Sequence, residues 1–149
     1  MGVIERLKQR ISGAINPDSV RGSEHAAKYY ESVRNKHSSY DIYKIARNTG
    51  FSFEQVSLVK GYIFYDKHAL DDGVNYFWPS FEMAESWKRL SSQNGKYYDH
   101  DALLLYHELY EISLVAQGCP QNKAHDMATK KYDYRTASDL FYQKLGFKI

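Results

Sequence analysis

The sequence predicts a mainly α protein, a single compact helical domain with a central long helix at residues 100–117 and one short hairpin near residues 71–80. Three observations carry that prediction. Apolar residues recur at three- and four-residue intervals through most of the chain, the period of a helix with one buried face. The breaks between these stretches cluster Gly, Pro, Asn and Asp, and several stretches open on Ser or Asp. The composition is that of a folded domain, with 43% hydrophobic and 26% charged residues in a chain of 149. Its mean hydropathy is −0.63. A chain of this length buries a core without disulfides or a structural metal.

In chain order, "MGVIERLKQRISGAI" places Val3, Ile4, Leu7, Ile11 and Ile15 on one side and predicts an amphipathic helix. "NPDSVRGS" at 16–23 breaks it, so residues 1–22 are expected to be an N-terminal helix and linker and residues 23–149 the main domain. "SEHAAKYYESVRN" begins on Ser23 as a cap, and "YDIYKIARN" is a helix stopped by Gly50. "SFEQVSLVKGYIFYDKHAL" opens on Ser52 with Glu54 and Gln55 close to a capping-box pattern, although "GYIFYD" has the aromatic and β-branched content of a strand. "DDGVNYFWPS" is a loop or hairpin, and Ser80 caps the helix "FEMAESWKRL". The polar "SSQNGKYYDHD" precedes the helix 100–117, which Gly118 and Pro120 end. "QNKAHDMATKKY" and "RTASDLFYQKLGF" are the last two helical stretches.

Twenty Lys and Arg against 18 Asp and Glu give a net charge of +2, too little for the phosphate field of a DNA-coating protein. The single cysteine, Cys119, rules out an internal disulfide and reads as a structural thiol at a helix end. The first residues lack the apolar run of a signal peptide or membrane span. Fourteen tyrosines suit a wet groove or an interface as well as a core.

The candidate site comes from "HDALLLYHELYEI". At 100° per residue His100, Leu103, Leu104, His107, Glu111 and Leu114 share one side, with the histidines and Glu111 at its centre. Leu105, Leu109, Ile112 and Ala116 form a second apolar stripe, and Asp101 and Glu108 fall on the boundary. Burying a carboxylate costs several kcal/mol unless it is paired or neutralised, so Glu111 one turn from His107 needs a reason. One is a structural ion pair in the core. The other is a catalytic or ligand site, completed by His125 folding back across the turn at Gly118 to Pro120.

In the leading expectation His107 and His125 act as general acid and base, Glu111 or Glu108 orients an imidazole, and the substrate is RNA. No cofactor is needed. Lys130, Lys131 and Arg135 interleaved with Tyr132 and Tyr134 add the cations and rings that single-stranded RNA favours, or else a solvated helix end. "HELYE" is not the H-E-x-x-H motif, because Glu111 stands where the second His belongs. A divalent metal at His107, Glu111 and His125 is the further alternative. Lys67 and His68 beside Asp66, Asp71 and Asp72 read as a charged turn rather than a calcium loop. Glu85 and Arg89 read as a surface i, i+4 ion pair.

The run from "AAKYYESVRN" through "DKHAL", "FEMAESWKRL", "DHDALLLYHELYE" and "AHDMATKKYDY" resembles the C-terminal effector domains of bacterial polymorphic toxins and of some phage minor head proteins, over residues 23 to 135. The motifs behind the resemblance are the "DKH" (Lys67, His68), the "ESW-RL" (Trp87, Arg89), the "HE--E" (His107, Glu108, Glu111) and the later "AH" (His125). The resemblance implies delivery by a larger secreted or phage-borne chain, action in the bacterial cytoplasm and a cognate immunity protein. It strengthens the catalytic reading of His107, Glu111, His125 and Glu108. Lys67, His68, Arg89, Lys131, Tyr132 and Tyr134 are then expected to bind substrate. The chain starts at Met1 without a delivery region, which is expected of an excised domain, an orphan copy or a relic. The rival from another class is a non-catalytic phage or mobile-element module with a Tyr-rich face for a protein partner.

Overall fold

Residues 16–149 are described by a computed structural model; the helix expected at 1–15 lies outside them. The elements are α1 (Val20–Lys36), α2 (Tyr40–Thr49), α3 (Phe53–Lys60), a π-helical turn (Gly61–Tyr65), β1 (His68–Leu70), β2 (Gly73–Asn75), α4 (Phe81–Leu90), α5 (Asp99–Ala116), α6 (Gln121–Lys131) and α7 (Tyr134–Lys144). The fold is mainly α. No helix among the described residues is long and apolar enough to cross a membrane.

Local chemistry sets most of these boundaries. The Ser52 hydroxyl accepts from the Gln55 amide at 3.1 Å while the Gln55 side chain accepts from the Ser52 amide at 3.0 Å, a complete capping box. Gly50 ends α2 at φ 84°, and the Ser80 hydroxyl caps α4. α1 begins four residues earlier than expected. Its cap is Ser19, not Ser23, and the Ser19 amide and hydroxyl both donate to the Asn16 carbonyl. That carbonyl lies 2.7 Å from where a Cβ on Gly22 would stand. Gly22→Ala, which at an open helical position gains about 0.5–1 kcal/mol, is therefore expected to lower stability here. A higher midpoint of thermal unfolding would show that the approach is not tight.

The helix expected to run from 52 to 70 is cut short. After Lys60 the backbone widens, the Asp66 amide donating to the Gly61 carbonyl at 2.8 Å, and then becomes a strand. The hairpin pairs Ala69 with Val74 around Asp71 and Asp72, so it occupies 68–75 rather than 71–80. Gly73 takes the positive φ of 116° that the reversal requires.

The main core lies among α1 to α5. Phe64 from the π turn meets Trp87 of α4 at 5.4 Å and Tyr30 of α1 at 4.7 Å, ring centre to centre, with Ile45, Val56, Val59, Leu90 and Leu105 around them. α5 packs against α3, α4, α6 and α7. It is pressed from several sides, so Asp101 and Glu108, expected at the boundary, are both buried, while Ala116, expected in the inner stripe, is exposed. The expected Glu85–Arg89 surface pair does not form. Glu85 is buried and accepts from His25 at 2.8 Å, with Lys88 at 3.4 Å, whereas Arg89 turns to Asp101.

Candidate metal centre

α6 runs back along α5, so that Glu111 faces His125 and His107 faces Tyr132. Gly118 at φ 94° turns the chain, and α6 begins directly after Pro120. This short reversal is what assembles the site.

His107 fixes its own tautomer. Its Nδ1 lies 3.0 Å from the Tyr132 carbonyl, which only accepts, so Nδ1 carries the hydrogen and Nε2 is left with its lone pair. That Nε2 faces Glu111 Oε1 at 3.5 Å. His125 Nδ1 approaches the same oxygen at 2.8 Å. The other Glu111 oxygen is held from behind, accepting from the Tyr62 hydroxyl at 2.6 Å and from Gln121 Nε2 at 3.3 Å. One donor atom from each of His107, Glu111 and His125 therefore converges, all within 4.8 Å of one another.

The charges follow from these contacts. Burial alone raises the Glu111 pKa, but its polar contacts with His107, His125 and Tyr62 outweigh that and bring it down to about 2. The bond to Glu111 raises the pKa of His125. Burial, and then repulsion from ionised Glu111, pushes Glu108 well above the usual carboxylate range. Two carboxyls one turn apart are thus driven in opposite directions. No hydrogen bond from the described residues reaches Glu108, whose Oε2 is buried without a partner among them. Leaving a polar atom that way costs about 1–3 kcal/mol, so the position is not explained by stability.

Two clefts meet at this centre. One, of about 400 Å³, is lined by His107, Glu108, His125, Arg135, Ser138 and Trp78 among others. The second, of about 780 Å³, lies on the other side of His125 and Trp78, beside the hairpin and the start of α6. Trp78 is 80% exposed.

Of the residues expected at the site, His107, Glu111, His125 and Glu108 are together. Tyr132 contributes its carbonyl rather than its ring, which stacks on Tyr106. Tyr134 lines the first cleft with its hydroxyl turned to Ser86 at 2.7 Å. The others stand apart from the centre. His68 stacks on Phe77 at 3.8 Å and binds the Tyr62 carbonyl at 2.7 Å, one layer behind the centre. Lys67 lies over Tyr76 and Lys131 over Tyr110. Arg89 is committed to Asp101 through two bonds, at 2.9 and 2.8 Å. His100, left open between site and cap, sits against Arg89, Tyr98 and Phe141, away from His107.

Sequence reasoning missed Tyr62, Gln121, Trp78 and Ser138. Tyr62 carried no spacing signal, since the π turn that aims it is invisible to a 3.6-residue period, although such turns recur at functional sites. Comparison with protein families, with characterised proteins and with solved structures finds no match for this chain.

Proposed function

We propose that the protein is a metal-dependent hydrolase centred on His107, Glu111 and His125. What supports this is the convergence of two imidazoles and one carboxylate, with His107 and Glu111 tied back to the protein at the end facing away, His107 by Tyr132 and Glu111 by Tyr62 and Gln121. A divalent ion bound there supplies a Lewis acid and lowers the pKa of a water beside it toward neutrality. Glu108, which lines the cleft and has no partner among the described residues, is the carboxyl placed to hold or pass on a proton there.

A metal-free acid–base hydrolase is the second reading, favoured by the 2.8 Å contact through which Glu111 orients the half-exposed His125 ring. In that reading the proton exchange expected of two histidines on RNA falls to His125 alone, because both nitrogens of His107 face protein groups. Either hydrolase fits the resemblance to effector domains, with the bacterial cytoplasm as the place of action and an immunity protein as the inhibitor.

Full-length protein dialysed against zinc and then against metal-free buffer is expected to retain one zinc per chain by elemental analysis. Tyr62→Phe, which frees the back of Glu111, is expected to weaken zinc binding by about 10–100-fold. His107→Ala is expected to abolish it and to relieve any growth arrest caused by expression in a bacterial host. Parent protein holding no more zinc than His107→Ala sinks the metal reading. Hydrolysis that persists after chelation transfers the function to the acid–base alternative.

A further inference from the structure

We infer that the paired clefts bind an extended polypeptide carrying basic side chains, and that the bond cut at the centre is an amide. This rests on the hydrolase reading above and adds the substrate class.

The charge on the walls is the first argument. Asp71, Asp72 and Asp126 line the larger cleft with no Lys or Arg among the described residues that line it. Asp18, Glu82 and Asp139 line the smaller one, where Arg135 is the one Lys or Arg among the described residues lining it and stands 4.0 Å from Asp139. The chain as a whole is at +2, so the acidity belongs to this face. A polyanion laid along it meets like charge on both sides of the centre, whereas lysine and arginine side chains meet carboxylates.

Shape and hydrogen bonding agree. Two clefts sharing His125 and Trp78 as a common wall suit a chain that continues on both sides of the cut bond rather than a small molecule in a closed pocket. The exposed indole of Trp78 offers a face for a cation or an aliphatic stem. Ser138 and Glu108 line the smaller cleft, and each carries a buried polar atom, Ser138 Oγ and Glu108 Oε2, with no partner among the described residues. A peptide backbone, with an N–H and a C=O at every residue, supplies both kinds of complement.

The reaction balances without a further reactant. The water oxygen bonds to the carbonyl carbon, and the carbon–nitrogen bond breaks. One proton of the water passes to the departing nitrogen, leaving a carboxylic acid and an amine.

The test uses zinc-loaded full-length protein and three fluorescein-labelled probes of matched length: a lysine–alanine peptide, a glutamate–alanine peptide and single-stranded RNA. Anisotropy measures binding and mass spectrometry measures cleavage. The lysine peptide is expected to bind best, to lose affinity as salt rises and to be cut. Asp71→Asn, Asp72→Asn and Asp126→Asn combined, all exposed and conservative, are expected to weaken its binding about tenfold. Preference for RNA, equal binding of the two peptides, or an unchanged affinity in the triple variant overturns the inference. Zinc content of the same samples keeps the two claims separate: lysine-peptide binding without bound zinc sinks the metal reading and leaves the groove assignment standing.

Discussion

Asp101→Ala is expected to destabilise the protein by about 3–5 kcal/mol, the loss that follows when one partner is removed from a buried ion pair. Asp101 is fully buried at the start of α5, and its carboxylate accepts from four groups at once. Arg89 Nη2 and the Ser86 hydroxyl bind Oδ1 at 2.8 and 2.6 Å, and Arg89 Nε and the Tyr98 amide bind Oδ2 at 2.9 and 2.8 Å. It therefore caps α5, ties α5 to α4 and compensates the charge of an Arg89 side chain that is itself 14% exposed. Alanine leaves that half-buried cation without its counter-charge. Equilibrium unfolding in urea measures the loss, and Asp101→Leu combined with Arg89→Met separates charge from position. Removing both charges is expected to restore most of the stability, because apolar replacement of a whole buried pair is often neutral. A loss below about 1 kcal/mol in the single variant would show the pair to be effectively solvated.

How much of this was legible in the sequence depends on the range of the interactions involved. The Ser52 and Ser80 caps and the Gly50 stop are local, set by residues within one turn of each other, and they appeared as expected. His107, Glu111 and His125 were also within reach, because the turn after Gly118 is so short that α6 has to return along α5. The fate of Asp101 and Glu108 was not. A helical wheel places a residue on a face but does not say how many neighbours press on that face, and α5 is enclosed by four other helices. Arg89 shows the same limit. Its i, i+4 partner Glu85 was visible, whereas Asp101, twelve residues away across a loop, was the one that mattered. The Tyr62 contact depends on a five-residue hydrogen-bonding turn that departs from the helical period altogether.

Glu108 is where stability and function are expected to part. Glu108→Gln keeps the shape of the side chain and removes its ability to accept a proton. In zinc-loaded protein it is expected to leave metal content unchanged and to lower the turnover of the lysine peptide by about 10²–10⁴-fold, the usual contribution of a positioned general base. Glu108→Leu is expected to lose activity as well, yet to raise the stability to urea by about 1–3 kcal/mol, because it replaces a buried carboxyl that no donor among the described residues reaches. A residue kept for packing behaves in the opposite way: leucine there would lower stability or leave it unchanged, and glutamine would leave turnover intact. The stability arm requires no substrate, so it judges the position even if the groove binds something other than a peptide. A neutral or destabilising Glu108→Leu would mean that Glu108 has a structural reason to be buried beside Glu111. A gain in stability coupled to a loss of activity is the trade expected of a carboxyl retained at a cost for the proton it moves.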